Sequence, residues 1–267
     1  MSDYIVIAGT TEARIVIEAL TEKGFFVTAA VATRLGAQAL DDLPDKALIR
    51  VETGRKNSQE FTDFIIQENP AAVIDASHPF AVEVSKTVME ACALADRVYI
   101  RYIRPELSIN PALMPQTVDV DNAGQAAAYL NTVCGNVLLT TGTNTVGAYV
   151  SGIRDFNRRC YVRVLQTPES VQACQKAGVD AAHVISMNPP FSVADNVKLL
   201  KEKNIDFLVT KDSGQAGGFP EKLMAAKAVG AVVIIIRRPR ENLSDTQRAD
   251  SLEKLLVLLG LSEEDKA

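Results

Sequence analysis

Tryptophan is absent from the 267 residues, and histidine occurs twice, at His78 and His183. Four cysteines, Cys92, Cys134, Cys160 and Cys174, stand far apart without a CxxC pair. No Cys/His cluster of metal-ligand spacing exists, so no metal site is expected. The thiols read as small apolar residues of a reducing compartment. A basic excess is missing too: the net charge is -5. That argues against nucleic acid or an anionic membrane surface as partner. The longest apolar runs, such as AVVIIIRRP, are too short to span a bilayer. The opening stretch, MSDYIVIAGT, enters a strand at once and carries no pattern of a secretion signal. The expectation is a cytoplasmic globular protein, a monomer or small homo-oligomer.

What is present is a regular alternation. Apolar runs at 4–8, 25–31, 47–52, 71–75 and 97–103 are separated by amphipathic segments. These strands are continuously apolar rather than alternating, the mark of a parallel sheet covered by helices on both faces. The segment 104–120 breaks the pattern with prolines at 105, 111 and 115, and reads as a linker or extended connection. A second series follows, with runs at 136–142, 161–167, 182–187, 206–214 and 231–239. A last amphipathic helix is expected in TQRADSLEKLLVLLG. The fold class is therefore α/β. Two Rossmann-like or flavodoxin-like domains with mainly parallel sheets are expected, at 1–118 and 119–267, with an intervening cleft as the default place for a site.

Several turns carry chemistry. IAGTTEAR (7–14) ends a strand, turns at Gly9 and opens a helix near Thr10. A helix N-terminus binds phosphate through free amides and its dipole. This is not GxGxxG, so the residues leave both phosphate binding and a plain capped turn open. The second strand ends in AAVATRLG (29–36), without the carboxylate that would hold a ribose 2′-hydroxyl. Thr33 and Arg34 stand where a 2′-phosphate would sit, which favours NADPH and leaves NADH possible. In DASHPFA (75–81), Pro79 fits the first turn of the next helix, and Ser77 or His78 could cap it or face a ligand.

Arg101 and Arg104 lie near the end of the fifth strand, where guanidinium forks suit carboxylates and Glu106 offers a salt bridge instead. LLTTGTN (138–144) repeats the strand–turn–helix logic. KDSGQAGGFPEK (211–222) combines three glycines with Lys211, Ser213 and Lys222. Basic and hydroxyl residues thus gather at the carboxyl ends of strands in both halves. A nucleotide plus a polyanionic organic ligand fits that set.

Together the stretches IAGTTEAR, IDASHPFA, YIRYIRPE, LLTTGTN, KDSGQAGGFPEK and IIIRRP resemble, in order, the motifs of the precorrin-6A reductase family of cobalamin biosynthesis, its cobalt-precorrin form included. They span residues 5 to 239. Two positions depart from the family pattern: Ala8 replaces a first glycine, and Asn144 replaces a common lysine. The resemblance implies reduction of one double bond of a tetrapyrrole-derived macrocycle by a nicotinamide cofactor. It implies cofactor contacts from Gly9, Thr10, Thr11, Glu12, Ala13 and Arg14, from Thr33 and Arg34, and from Ser77, His78 and Phe80. Substrate contacts are implied at Arg101, Arg104, Thr140, Thr141, Gly142, Thr143, Lys211, Ser213, Gly217, Gly218 and Lys222. No residue declares itself the proton donor. His78 is the candidate, and solvent or the substrate's own acid arms stay open. Two rival readings also stand: a reductase of another polycarboxylate, and a nucleotide-binding module without chemistry.

Overall fold

Strand β1 (Tyr4–Ile7) shows why its run is apolar throughout. Tyr4 and Val6 pack into one core and Ile5 and Ile7 into another, on opposite faces of the sheet. The computed structural model describes residues 1–103, 114–214, 217–239, 241 and 243–262. Among these, the strands form two six-stranded sheets in two compact units, 1–105 with 239–267 and 106–238.

The first unit runs β1, α1 (Thr11–Glu22), β2 (Val27–Val31), α2 (Arg34–Gln38), β3 (Ile49–Thr53), α3 (Ser58–Glu68), β4 (Ala72–Asp75), α4 (Val82–Leu94) and β5 (Val98–Tyr102). With β12 (Arg248–Ala249) the order is β12-β5-β4-β1-β2-β3, every pairing parallel. Residues of α1 and of the C-terminal helix α11 (Leu252–Leu258) enter the core of Tyr4 and Val6; residues of α3 and α4 enter the core of Ile5 and Ile7. This is a doubly wound sheet. Asn57 and Glu60 form a capping box that starts α3, with bonds of 3.0 and 2.8 Å.

The second unit runs β6 (Thr117–Val120), α5 (Ala123–Leu130), β7 (Asn136–Leu139), α6 (Val146–Gly152), α7 (Phe156–Arg159), β8 (Cys160–Val164), α8 (Pro168–Lys176), β9 (Val184–Ser186), α9 (Val193–Glu202), β10 (Ile205–Lys211), α10 (Phe219–Val229) and β11 (Val232–Ile236). Its order is β6-β11-β10-β7-β8-β9, again parallel.

Three expectations change. The division at 118/119 does not match the compact units, because the chain from 239 onward packs with the first one. There β12 pairs Arg248 with Arg101 and Ala249 with Tyr102, and Leu255 is fully buried in the first core. The expected last helix is therefore split. Ser251 caps α11 by accepting from Lys254 N at 3.2 Å, and before it stand a 3-10 turn (Asp245–Gln247) and the two-residue strand β12. Finally, the end of the expected linker is a strand, β6. Its TVDV sequence leaves Thr117, Val118 and Asp119 partly or fully exposed at a sheet edge, so it lacks a continuous apolar signal.

Candidate active site

In the first unit β1 and β4 are neighbours, yet their following helices lie on opposite faces. The carboxyl ends of these two strands therefore define the topological switch point, where doubly wound folds bind ligands. The turn after β1 is built on Gly9, whose φ of 113° lies in the region that favours glycine. A Cβ there would meet nothing within 4 Å, so the space beside the turn is open. Thr10 caps α1 by accepting from Ala13 N at 3.0 Å, and its hydroxyl donates to Ala76 O at 2.7 Å. One side chain thus ties the Gly9 turn to the DASHPFA turn. An open glycine turn before the free amides of a helix fits a dinucleotide pyrophosphate.

The residues expected at that pyrophosphate divide. Gly9, Thr10 and Thr11 stand at the helix entrance. Glu12 is an anion, so only its backbone amide suits a phosphate. The amide of Ala13 is already taken by the cap. Arg14 points elsewhere: its guanidinium donates to the Ala39 carbonyl and to Asp42 Oδ1, the latter at 2.5 Å. That hydrogen bond holds the Asp42 carboxyl below its ordinary range. Arg14 thus braces the segment after α2. Thr33 caps α2 by accepting from Gly36 N at 3.1 Å, and Arg34 is exposed beside it, just past the end of β2.

At the end of β4 the structure shows a buried network that the sequence did not announce. Asp75 is fully buried; its Oδ1 accepts from Ser77 N at 3.0 Å and its Oδ2 from Tyr99 OH at 3.0 Å. Burial, then the Asp75 charge, raises the Tyr99 phenol above its ordinary range. Arg101 is also fully buried. Its Nη1 donates to Asp75 O at 2.9 Å, Asp75 Oδ1 at 3.3 Å and Ser77 O at 2.9 Å, and its Nε donates to Glu241 Oε1 at 3.0 Å. The expected contact of Arg101 with substrate is corrected accordingly: parallel register sets it beside Asp75 inside the protein, where it holds the turn. Arg104 lies outside the described residues.

His78 is exposed on this turn and Ser77 is buried. The Nδ1 of His78 accepts from Phe80 N at 3.2 Å, so the neutral ring carries its proton on Nε2. The His78 and Phe80 rings are 5.7 Å apart. Neither Ser77 nor His78 caps α4. That helix begins at Val82, its cap position is Ala81 without a side-chain bond, and Pro79 belongs to the preceding turn.

In the second unit the switch point falls between β7 and β10, since the order runs outward from them in both directions. The Thr140 hydroxyl donates to Val209 O at 2.9 Å. Thr141 is buried and its hydroxyl lies 2.9 Å from that of Thr145. Gly142 turns the chain with a φ of 81°, and Thr143 starts a short 3-10 turn. Beside them, β10 ends at Lys211, whose ammonium is shifted down by burial. Ser213 and Gly217 nearly touch: a Cβ on Gly217 would lie 2.0 Å from Ser213 Oγ. Gly218 enters α10 with a φ of 63°. Lys222 is buried in the first turn of α10, and its Nζ donates to Gly217 O at 2.7 Å. The expected residues from 140 to 143 and from 211 to 222 thus share one sheet edge. One cation was missed. Arg163 is buried within β8, where its apolar neighbours masked it.

A concavity of about 500 Å³ lies at the opposite end of the first sheet, lined by Asp3, Asn69, Asp96 and Arg97 among others. It is at the amino ends of β1, β4 and β5, away from the switch point. Among the described residues no three His, Cys, Asp or Glu side chains cluster as metal ligands, and no helix is long and apolar enough to cross a membrane.

A family model described as Precorrin-6x reductase CbiJ/CobK matches residues 4–259. The cobalt-precorrin-6A reductase of Priestia megaterium is 32% identical over 237 residues, covering 88% of this chain and 90% of that one. The corresponding reductase of Methanothermobacter thermautotrophicus is 33% identical over 241 residues, covering 90% and 77%. The precorrin-6A reductase of Rhodobacter capsulatus is 29% identical over 243 residues, covering 90% and 89%. A solved structure of CobK precorrin-6A reductase superposes with a TM-score of 0.77 at 23% identity, over 97% of each chain, and shares the fold. With two parallel six-stranded sheets, an open glycine turn at the first switch point and a family match from residue 4 to 259, this chain belongs to the precorrin-6A reductase family of cobalamin biosynthesis.

Proposed function

We propose that this protein reduces one double bond of precorrin-6A, or of its cobalt form, giving the corresponding precorrin-6B, with NADPH as the preferred cofactor. The observation that carries this reading is the 2.7 Å bond from Thr10 to Ala76 O, which joins the open Gly9 turn to the Ser77–His78 turn at a switch point. A bound nicotinamide cofactor supplies the hydride. The chain's own work is to bind and orient. The amides at Gly9 to Glu12 hold the pyrophosphate. Ser77, His78 and Phe80 border the nicotinamide, and the His78 Nε2 proton is the candidate for delivery to the neighbouring carbon. Thr140 to Thr143, Lys211, Ser213, Gly217, Gly218 and Lys222 take the acid arms of the macrocycle. The first unit serves the cofactor and the second the substrate, in the cytoplasm, as a monomer or small homo-oligomer.

An anaerobic absorbance assay tests this. Oxidation of NADPH is expected with cobalt-free or cobalt-bearing precorrin-6A. Silence with both forms and with both NADPH and NADH would sink the reading.

Cofactor choice rests on Arg34, exposed and without a partner among the described residues. Arg34→Ala should weaken NADPH binding about tenfold, as expected for roughly 1.5 kcal/mol from a charge-assisted hydrogen bond. NADH binding should change less than about twofold by the same arithmetic. Equal losses for both cofactors in a binding titration would remove Arg34 from this role.

A further inference from the structure

The α9–α10 side of the second sheet buries two cations. Alternation along β8 turns Tyr161 and Arg163 to one face, and Tyr161 packs into the core shared with α9 and α10. Arg163 is 6% exposed and Lys222 is 7% exposed. The Arg163 Nη1 donates to Asn196 Oδ1 at 2.8 Å, and Asn196 is itself 3% exposed. The Arg163 guanidinium carbon sits 4.2 Å from the Phe191 ring centroid. Lys222 donates to Gly217 O. Among the described residues neither cation has a carboxylate within ion-pair distance, 4.0 Å. Glu221 follows Gly218 in the same helical turn and its field reaches Lys222, but among the described residues it forms no ion pair and its Oε2 meets no donor.

Buried cations are ordinarily paired. Among the described residues these two donate only to neutral oxygens, which engage a fraction of their donors. The electrostatic consequence is visible: burial, then the Arg163 charge, pushes the Lys222 ammonium down to about 8. Burial also pulls Arg163 down to about 10. A fixed anion would relieve both. Arg163 stands one residue from the carboxyl end of β8, and Lys222 follows the glycine turn at 217–218, so both belong to the edge that carries the candidate site.

We propose that Arg163 and Lys222, with Asn196 fixing the guanidinium, form a buried anion subsite that takes a carboxylate of the substrate. This rests on the reading of the second unit as the substrate domain, and adds Arg163 to it as a specificity residue. The planar fork suits a carboxylate, and a lysine beside it supplies a point charge.

Two probes separate the subsite from the reaction. Sodium acetate is titrated against sodium chloride at equal ionic strength, and the melting temperature is read. At about 100 mM, with a dissociation constant on the order of 10 mM, acetate should raise it by about 2–4 °C. Arg163→Met and Lys222→Met should each abolish the rise, while Arg163→Lys keeps part of it. Should Arg163→Met fail to fold, Lys222→Met tests the same subsite from the helix.

The second probe is precorrin-6A, followed by its own absorbance. Arg163→Met should weaken its binding about tenfold or more, the loss of one charge-assisted contact, with NADPH affinity unchanged. Absence of an acetate rise in the wild type, or its persistence in both Met variants, would overturn the subsite. So would a lower melting temperature in Arg163→Met with precorrin-6A affinity intact, because that marks a purely structural cation. If wild type shows the acetate rise, the variants lose it, and precorrin-6A fails to bind wild type, the subsite stands and the substrate reading falls.

Discussion

Arg101→Met should destabilise the first unit by about 3–5 kcal/mol, the loss expected when one partner of a buried ion network is removed. The side chain is fully buried and holds Asp75, Glu241 and the Ser77 carbonyl together. Methionine fills similar volume but leaves the Asp75 carboxylate, among the described residues, with only the Ser77 amide and the Tyr99 hydroxyl, and leaves Glu241 without this partner. Urea denaturation should show an early transition. The Ser77–His78 turn should loosen with it, so cofactor affinity should fall in the folded fraction. Arg101→Lys should recover only part of this, since one ammonium cannot reproduce the fork. A melting curve unchanged in Arg101→Met would refute the structural assignment and return Arg101 to the pool of substrate residues.

Gly217→Ala should have the second largest effect. The new Cβ would lie 2.0 Å from Ser213 Oγ and 2.3 Å from Ser213 Cβ, far inside any tolerated contact. No rotamer of Ser213 moves its Cβ, so the backbone must shift. Overpacking of this kind costs about 1–3 kcal/mol. It would also displace the Gly217 carbonyl that receives the Lys222 ammonium. The expected kinetic result is a KM for precorrin-6A raised about tenfold or more, by the geometric sensitivity of positioning groups, with NADPH affinity intact. The double variant Ser213→Gly with Gly217→Ala tests the cause. It should regain most of the melting temperature lost in the single variant, because the contacts at 2.0 and 2.3 Å have gone and the Ser213 carbonyl at 3.2 Å is left. If it regains nothing, the clash is not the reason for glycine at 217.

Much of this was legible in advance, for a clear reason. Buried parallel strands must be apolar on both faces, so runs such as YIVIA and AAVID announce themselves. The turns that follow were legible because they combine rare conformational needs with hydroxyl and basic groups, as at Gly9–Thr10 and Gly217–Gly218. Edges and returns were less so. TVDV at 117–120 alternates weakly, and Arg248–Ala249 is too short for any periodic signal.

The residues alone determined the α/β class, the carboxyl-edge turns and the family, because those depend on local pattern and on motifs in order. Pairing at a distance decided the rest. Arg101 and Arg163 are both basic residues inside apolar strands. Tertiary structure gave Arg101 two carboxylates, one of them 140 residues away, and among the described residues gave Arg163 none. A guanidinium's role follows from the charges that share its burial, and those come from other elements, so only the fold could make one a brace and leave the other open to an anion.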